Sequence, residues 1–304
     1  MYTRRVYHLI SAARHIATLS QGRARRHLVV VRPRGRGRPE NRRARRTDII
    51  RITIFGANGP TGRLLTEQAL TAGHQVTAVT RQPDTFPLRH SRLRVLGADV
   101  LDPDAVDAAV AGRHAVLSTL GVPPSRKPIT TYSRGTATIV AAMRRHDVRR
   151  LAVVSSSGVD PRPYSDGGFL FNRVLLPYVT RVLGKTLYDD MRRMETLVRA
   201  SDLDWTIVRP SGLYHLPAPT DHLITEGHAD GRFTARADLA AGLLNLVSGN
   251  RYLRSTVGIV TTTDNPTLRQ WLRHNASTSH RLDRAQDPGP FRGSSDTGVT
   301  DPLG

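Results

Sequence analysis

The sequence predicts an α/β protein built on a doubly wound parallel sheet. Short apolar runs alternate with helical patterns from residue 49 to residue 274, and a glycine-rich turn follows the first apolar run. Strands that alternate with helices in this way are typical of βα units, whose strands lie parallel. A chain of 304 residues is long enough to form the large core that such a sheet requires.

The first half of this pattern begins with a strand over 49–56 and a helix that opens near Pro60. Leu64, Leu65 and Ala69 lie at helical spacing, and Gly73 ends the helix because glycine readily adopts the left-handed conformation found there. Further strands are predicted over 74–81, 93–100, 114–121 and 149–157, and further helices over 103–110 and 132–146.

In the second half, a helix over 186–201 leads into a sixth strand over 204–213. Residues 213–260 are predicted to form a small C-terminal region of the same domain. It would hold a short strand near 231–234, a helix over 238–247 and a last strand over 255–261. The predicted folded domain is therefore 49–274.

Both ends of the chain, 1–48 and 275–304, are predicted to be disordered tails, because they contain too little apolar surface to offset the entropy of ordering them. Fourteen arginines precede Thr47 against one acid, Glu40, so the first tail carries well over half of the formal net charge of +20. Three interpretations of this tail stay open: a non-functional extension, an electrostatic arm for nucleic acid, or a targeting peptide.

Composition excludes several other classes of protein. The chain has no cysteine, so it forms no disulfide or thiolate metal site, and its twelve histidines show no metal-ligand spacing. No apolar run reaches the roughly 18 residues of a membrane span. Only two of the 45 basic residues are lysines, and so strong a preference for arginine is typical of a GC-rich coding sequence. We expect a soluble, cytoplasmic protein without a metal, which binds nucleic acid at most through its tail.

The turn after the first strand predicts a dinucleotide site. Gly56, Gly59 and Gly62 recur at intervals of three residues between an apolar strand and a helix. The first glycine permits the tight turn, the second lets the backbone approach a pyrophosphate, and the third lets the helix pack closely on the strand. Backbone amides at the helix N-terminus would then face the anion. This arrangement predicts a Rossmann-like fold, with cofactor contacts from Gly56, Asn58, Gly59, Pro60, Thr61 and Gly62.

The residue that ends the second strand indicates which dinucleotide is bound. Folds that prefer NAD place an acid there to bind the ribose 2′-hydroxyl. Here the residue is Arg81, whose guanidinium would bind the 2′-phosphate of NADP(H), and Arg63 would add a second positive charge. The alternative is that both are solvated surface arginines in an arginine-rich protein.

Three further residues are predicted along the cofactor path from their positions alone. Asp99 follows the third strand, beside the expected adenine pocket, and Thr119 and Gly121 end the fourth strand. Asp102 and Asp104 precede a helix and are interpreted as helix caps, which is the ordinary use of aspartate there.

The fifth strand ends in two candidate catalytic serines, Ser155 and Ser156, at the carboxyl edge of the sheet where open α/β folds bind ligands. A serine hydroxyl there could bind a substrate carbonyl or the nicotinamide amide. Alternatively, these serines only satisfy backbone groups of the loop. A serine hydrolase is rejected, because the chain has no G-x-S-x-G elbow.

Several motifs together resemble the atypical short-chain dehydrogenase/reductases, in the NAD(P)H-binding group that includes biliverdin reductase B and flavin reductases. The motifs are GANGPTGR, the arginine after the second strand, GADVLD, VVSSSGV and, most specifically, YDDMRRMETLVRASDLDWTIVRPSGL. The resemblance spans about residues 51–260. It implies a small C-terminal substrate-binding region, NADPH at the glycine turn, and hydride delivery to a flavin or a related small-molecule acceptor. It also matches Ser156 to the family's active-site serine and Arg209 with Pro210 to a pair that shapes the pocket.

The chain also departs from this family in its tyrosines and in one histidine. Standard short-chain dehydrogenases carry a Tyr-x-x-x-Lys pair, but here Val182 follows Tyr178 at that spacing and Arg192 follows Tyr188. Met191 occupies the position of a histidine in biliverdin reductase B. Alcohol dehydrogenation through a Tyr–Lys pair is therefore not expected.

Two functions fit these observations. The first is an NADPH-dependent oxidoreductase that passes hydride to a flavin, a quinone or a small carbonyl or enone compound, with a proton from solvent. The second is a non-catalytic NADP-binding regulator or scaffold that senses redox state. The retained Ser156 favours the first and the missing Tyr–Lys pair favours the second, whereas fold alone does not separate them.

Overall fold

A computed structural model describes residues 29–31, 49–125, 127–165, 167–268 and 270–271. The described residues up to Asn265 form one compact unit, which includes the whole of the predicted C-terminal region. Those after Asn265 belong to a second unit. Its described residues form a helical turn, in which the backbone amide and hydroxyl of Thr267 donate to Gln270. The remainder of the two predicted tails lies outside the described residues.

Within the described residues, nine strands form the main sheet, in the order β1-β9-β11-β7-β6-β5-β2-β3-β4. These strands are β1 (Val29–Val31), β2 (Arg51–Phe55), β3 (Gln75–Thr80), β4 (Leu93–Gly97), β5 (Ala115–Ser118), β6 (Arg150–Val154), β7 (Asp204–Pro210), β9 (His222–Glu226) and β11 (Ser255–Thr261). In this sheet order, the strands between β11 and β4, both included, are parallel to one another. Strands β9 and β1 are antiparallel to their neighbours. A separate pair, β8 (Gly212–Tyr214) and β10 (Phe233–Ala235), is also parallel.

The strand order reverses beside β2, and this reversal places the site. The chain runs outward from β2 to β3 and β4, and then returns to add β5 on the other side of β2. Phe55 at the end of β2 pairs with Val79 of β3 and with Ser118 of β5. Ligands of open α/β sheets bind in the crevice at the carboxyl ends of the strands where this reversal occurs. The turn after Phe55 opens into that crevice.

Helices cover both faces of the sheet. They are α1 (Pro60–Thr71), α2 (Pro103–Val110), α3 (Thr131–Arg145), α4 (168–183), α5 (Lys185–Arg199) and α6 (Arg236–Val247). Helices α1 and α6 pack together above one core, which includes Ile54, Leu65 and Leu243. Helices α2, α3 and α5 cover the other core, which includes Phe55 and Met194. Adjacent residues of β2 point to opposite faces, so Ile54 and Phe55 enter different cores.

Three elements differ from the sequence-based expectation. Within the predicted disordered tail 1–48, the structure places Val29–Val31 in a strand that pairs antiparallel with β9. Three consecutive β-branched residues suit an edge strand, and β9 offers them an open edge. Strand β9 itself was not predicted. Helix α4 was not among the predicted helices either, and it alternates α turns with π turns at Phe171–Leu175 and Val179–Leu183.

Candidate functional site

The glycine turn has the geometry that dinucleotide binding requires. Gly56 has a φ of +72°, and a Cβ atom there would lie 2.6 Å from the carbonyl oxygen of Thr119. The amide of Gly59 donates to the carbonyl of Gly56 at 3.1 Å, which closes the turn. Only glycine combines this left-handed conformation with so close an approach of β5. The first glycine therefore acts as the sequence predicts.

The other two glycines expose the N-terminus of α1. A Cβ atom on Gly62 would lie 2.7 Å from the Cα atom of Ala57, so the helix packs directly on the turn. Gly59 is the N-cap, no side chain caps the helix, and Pro60 occupies its first turn. The first amides of α1 therefore keep their hydrogens for an anion, and the residues present fit a bound pyrophosphate.

Thr119 holds this turn in place rather than facing outward. Its hydroxyl donates to the carbonyl of Phe55 at 3.0 Å and to that of Gly56 at 3.2 Å. Gly121 follows on an exposed stretch with open space at its Cα. Thr119 thus positions the pyrophosphate turn, whereas Gly121 leaves the crevice open beside it.

Arg81 lies beside the turn, directly after β3. The amide of Ala57 donates to the carbonyl of Val79 at 3.3 Å, which brings the end of β3 against the glycine turn. Arg81 itself is exposed, and it forms no ion pair with any described residue. Its guanidinium is therefore available to an anionic group bound at this edge.

Arg63 and Asn58 form a local chain at the mouth of the turn. The Nε of Arg63 donates to Oδ1 of Asn58 at 2.9 Å, and Nδ2 of Asn58 contacts the Thr85 hydroxyl at 3.4 Å. The first bond lies within the turn and the start of α1, and only the second ties the glycine turn to the loop after β3, on which Arg81 sits.

Asp99 follows β4 and is engaged in a local turn. Its Oδ1 accepts from the amide of Leu101 at 2.9 Å. Asp102 caps α2, as the sequence predicts, by accepting from the amides of Asp104 and Ala105. Asp99 is exposed at the crevice edge, three strands away from β5.

The two candidate serines have different environments. Ser155 is 3% exposed, and its hydroxyl donates to Oε1 of Glu195 at 2.7 Å. Ser156 is half-buried, and its Oγ accepts from the amide of Gly158 at 3.1 Å, which caps the short turn Ser157–Val159. The hydroxyl of Ser155 is therefore directed into the protein interior, whereas Ser156 stays at the sheet edge.

The structure brings Tyr188 to Ser156, a contact that the sequence analysis missed. Burial raises the pKa of the Tyr188 phenol, and the hydrogen bond with Ser156 partly opposes that rise. The tyrosine ring lies between Gly158 and Gly184, at each of which an added Cβ would lie 2.5 Å from a ring carbon. Arg192, four residues later, donates to the carbonyl of Val159 and to Asp189. The sequence signal for this contact is the Tyr-x-x-x-Lys spacing, in which Arg192 replaces the lysine that would follow Tyr188.

A buried ion pair supports the end of β6. Oε1 and Oε2 of Glu195 accept from Nε and Nη2 of Arg209 at 2.9 and 2.6 Å, and Arg199 adds a third partner at 2.8 Å. Burial opposes ionisation of Glu195, but hydrogen bonds from Arg209 and Ser155 outweigh it and hold its pKa below the usual value. Glu195 on α5 and Arg209 on β7, both within the long sequence motif that begins at Tyr188, are thus parts of one network. This network joins α5, β6 and β7.

Asp189 and Asp190, two adjacent acids of the same motif, have structural roles. Asp190 is fully buried, and its Oδ2 accepts from the amide of Tyr132 at 2.9 Å and from that of Ser133 at 3.3 Å. The Ser133 hydroxyl donates to Oδ1 of Asp190. These bonds cap the N-terminus of α3 from a different helix. Asp189, by contrast, forms surface pairs with Lys185 and Arg192.

Among the described residues, no group of three or more histidine, cysteine, aspartate or glutamate side chains is placed to hold a metal ion. No helix within the same part of the chain is long and apolar enough to cross a membrane.

Comparison with known proteins agrees with this geometry. A family model described as NAD(P)H-binding matches residues 56–249. An uncharacterised chloroplastic protein of Arabidopsis thaliana is 28% identical over 186 residues, which are 58% of this chain and 63% of that relative. The chain therefore spans less than two thirds of that relative's length.

Solved structures share the fold at lower identity. A short-chain dehydrogenase/reductase from Veillonella parvula in complex with NADP has a TM-score of 0.60 at 22% identity, and covers 72% of this chain and 99% of its own. The anaerobilin reductase ChuY of Escherichia coli O157:H7 has a TM-score of 0.53 at 20% identity, over 71% and 100% of the two chains. The glycine turn lies inside the matched residues, and these cover well over half of the sequence, so this chain belongs to the NAD(P)H-binding family.

Proposed function

We propose that the protein is an NADPH-dependent oxidoreductase that delivers hydride to a flavin, a quinone or a small carbonyl or enone compound. The observation that carries this proposal is that Ser156 and the Tyr188 ring, which packs against Gly158, lie at the same sheet edge as the glycine turn. Strand β6 is two strands from β2. Neighbouring strands are about 4.8 Å apart, so the pair lies roughly 10 Å across the edge from the pyrophosphate cradle. An extended dinucleotide bound at the turn can reach that far.

The bound nicotinamide would supply the hydride, and the chain would supply orientation and exclusion of water. A tyrosine phenol is protonated at neutral pH, and burial, which raises the pKa of Tyr188, keeps it so, so that it can donate a hydrogen bond. Ser156, near this phenol at the sheet edge, is placed to hold an acceptor oxygen. An oxidised flavin or quinone accepts hydride readily and can take its proton from solvent, so this site needs no Tyr–Lys pair.

NADPH oxidation by the purified protein, measured against a panel of flavins, quinones and enones, tests this proposal. We expect turnover with at least one acceptor. A bilin belongs in the panel, because one structural relative is an anaerobilin reductase. Binding of NADPH with no oxidation by any acceptor would overturn the oxidoreductase proposal.

A second candidate is a non-catalytic NADP-binding regulator that senses redox state. The observation that favours it is the engagement of Arg192, whose guanidinium is bonded to Val159 and Asp189 rather than replacing the missing lysine beside Tyr188. For a regulator, NADPH and NADP+ should bind with different affinities. Equal binding of the two, together with turnover, would exclude it.

We further propose that the protein prefers NADP(H) to NAD(H), because Arg81 lies beside the glycine turn. Arg81→Ala is expected to weaken NADPH binding about tenfold, the effect of losing one charge-assisted hydrogen bond, and to leave NADH binding unchanged. Titration of the wild type and the variant with both cofactors measures this. Arg89→Ala, on the same loop but bonded to backbone carbonyls, is the control. Equal NADPH affinity in wild type and Arg81→Ala would refute the assignment.

Ser156→Ala is expected to lower turnover of the best acceptor roughly two- to tenfold, while NADPH affinity changes little. Loss of one neutral hydrogen bond costs about 0.5–1.5 kcal/mol, and Ser156 is far from the pyrophosphate turn. Steady-state kinetics and an NADPH titration separate the two effects. Ser157→Ala is the matched control, because the Ser157 hydroxyl contacts Tyr164 instead of Tyr188. An unchanged rate with every acceptor would remove Ser156 from the site.

A further inference from the structure

Arg236 reaches the cofactor turn from a distant part of the chain. It is the first residue of α6, and its Nη1 lies 3.4 Å from the hydroxyl of Thr61 in the first turn of α1. The two helices lie side by side, and Nε2 of Gln68 donates to the carbonyl of Ala237 at 3.1 Å. A guanidinium from α6 is thereby held at the N-terminus of α1, next to the amides that the glycine turn exposes.

This guanidinium has no protein counter-charge among the described residues. None of their carboxylates forms an ion pair with Arg236, and its Nε is buried without a hydrogen-bond partner. Asp238, two residues later, is committed elsewhere, since its carboxylate accepts from Thr220 and Thr261. Burial lowers the pKa of Arg236, and no acid opposes that effect.

Arg236 is half-buried with its Nε fully buried, and an uncompensated cation in such a place is costly, because desolvated charges are normally paired. The nearest expected anion is the pyrophosphate that the glycine turn cradles, because Thr61 belongs to that turn. Arg81 is on the other side, at the end of β3, where the ribose 2′ substituent is expected. The two arginines would therefore contact different phosphate groups of one cofactor.

We propose that Arg236 is a cofactor-binding residue that supplies the counter-charge for the pyrophosphate, which NADP(H) and NAD(H) share. This inference rests on cofactor binding at the glycine turn, and it deepens the proposed function. It assigns affinity for either dinucleotide to Arg236 and discrimination between the two to Arg81. Both roles use the positive end of α1, which adds to the attraction for an anion.

The test uses Arg236→Met, which keeps much of the side-chain volume without its charge, and two probes that each carry one kind of phosphate. ADP contains the pyrophosphate and lacks a 2′-phosphate, whereas 2′-AMP contains the 2′-phosphate and lacks the pyrophosphate. We expect Arg236→Met to weaken NADPH, NADH and ADP about equally, by roughly tenfold or more, and to leave 2′-AMP unchanged. Arg81→Ala should weaken NADPH and 2′-AMP and leave NADH and ADP unchanged. Calorimetric titration of the full-length chain measures all four ligands.

Thermal unfolding without ligand separates binding from folding. Removing an uncompensated buried charge should leave the melting temperature unchanged or raise it. Unaltered ADP affinity in Arg236→Met, with the wild type binding ADP, would overturn the role of Arg236 alone. A lowered melting temperature with unaltered ADP affinity would assign Arg236 to the helix contact instead. If the wild type bound neither NADPH nor ADP, the cofactor proposal would fail together with this inference.

Discussion

Glu195→Gln is expected to destabilise the protein by about 3 kcal/mol or more, the largest stability effect that we predict for a single substitution. The variant keeps the size of the side chain but leaves the guanidinium of Arg209 without its carboxylate, and the Arg209 side chain is only 14% exposed. Asp160, 3.5 Å from Nη1 of Arg209, is half exposed and replaces little of that charge. Breaking a buried pair on one side costs more than the pair contributes, because the remaining charge stays desolvated.

Denaturant unfolding monitored by circular dichroism measures this loss. Asp202→Asn is the control, because it breaks the Arg144–Asp202 pair, in which both side chains are more than half exposed. Exposed pairs of this kind contribute at most about 1 kcal/mol. Equal, small losses in both variants would show that Glu195 and Arg209 do not form the support inferred for β6.

The same network gives the protein a defined acid sensitivity. The folded-state pKa of Glu195 is held below its usual value, so the carboxylate stabilises the fold above its unfolded-state pKa of about 4.3. That contribution is lost as the pH falls through the folded-state pKa. The stability of Glu195→Gln should therefore vary less between pH 6 and the acid limit than that of the wild type.

Gly59→Val should abolish most dinucleotide binding, with a loss of about a hundredfold or more for both NADPH and NADH, and leave the fold intact. The backbone of Gly59, at φ −69° and ψ 161°, suits a β-branched residue, and an added Cβ would contact only the Gly56 carbonyl, at 3.3 Å. The isopropyl group would instead occupy the space above the free amides of α1. Pyrophosphate and side chain cannot share that space.

Cofactor titration and thermal unfolding of the same sample distinguish the two effects. Gly249→Val is the matched control, because Gly249 lies after α6, away from the glycine turn, and an added Cβ there meets only the carbonyl of Asn245, at 3.7 Å. Near-wild-type NADPH affinity in Gly59→Val would mean that the cofactor does not lie across this turn.

Local patterns in the sequence determined most of the fold. Strands β2 to β7 and helices α1, α2, α3 and α5 lie within a few residues of their predicted ranges, because hydrophobic periodicity and caps such as Asp102 act over one or two helical turns. The glycine turn could be predicted equally well, since its conformational demands fall on seven consecutive residues. Helix α4 could not be predicted, because its π turns break the helical period of 3.6 residues.

The tertiary structure alone decided which polar groups meet. Asp190 caps a helix 58 residues away, Ser155 binds Glu195 across 40 residues, and Arg236 reaches Thr61 across 175. No local pattern predicts such pairs, because they depend on which helices share a face of the sheet. The sequence thus determined that a dinucleotide turn exists and where it begins. Packing decided that the hydroxyl of Ser155 is directed inward, that Ser156 lies near Tyr188, and that Arg236 lies at the first turn of α1, since each contact requires two elements to be docked before it can form.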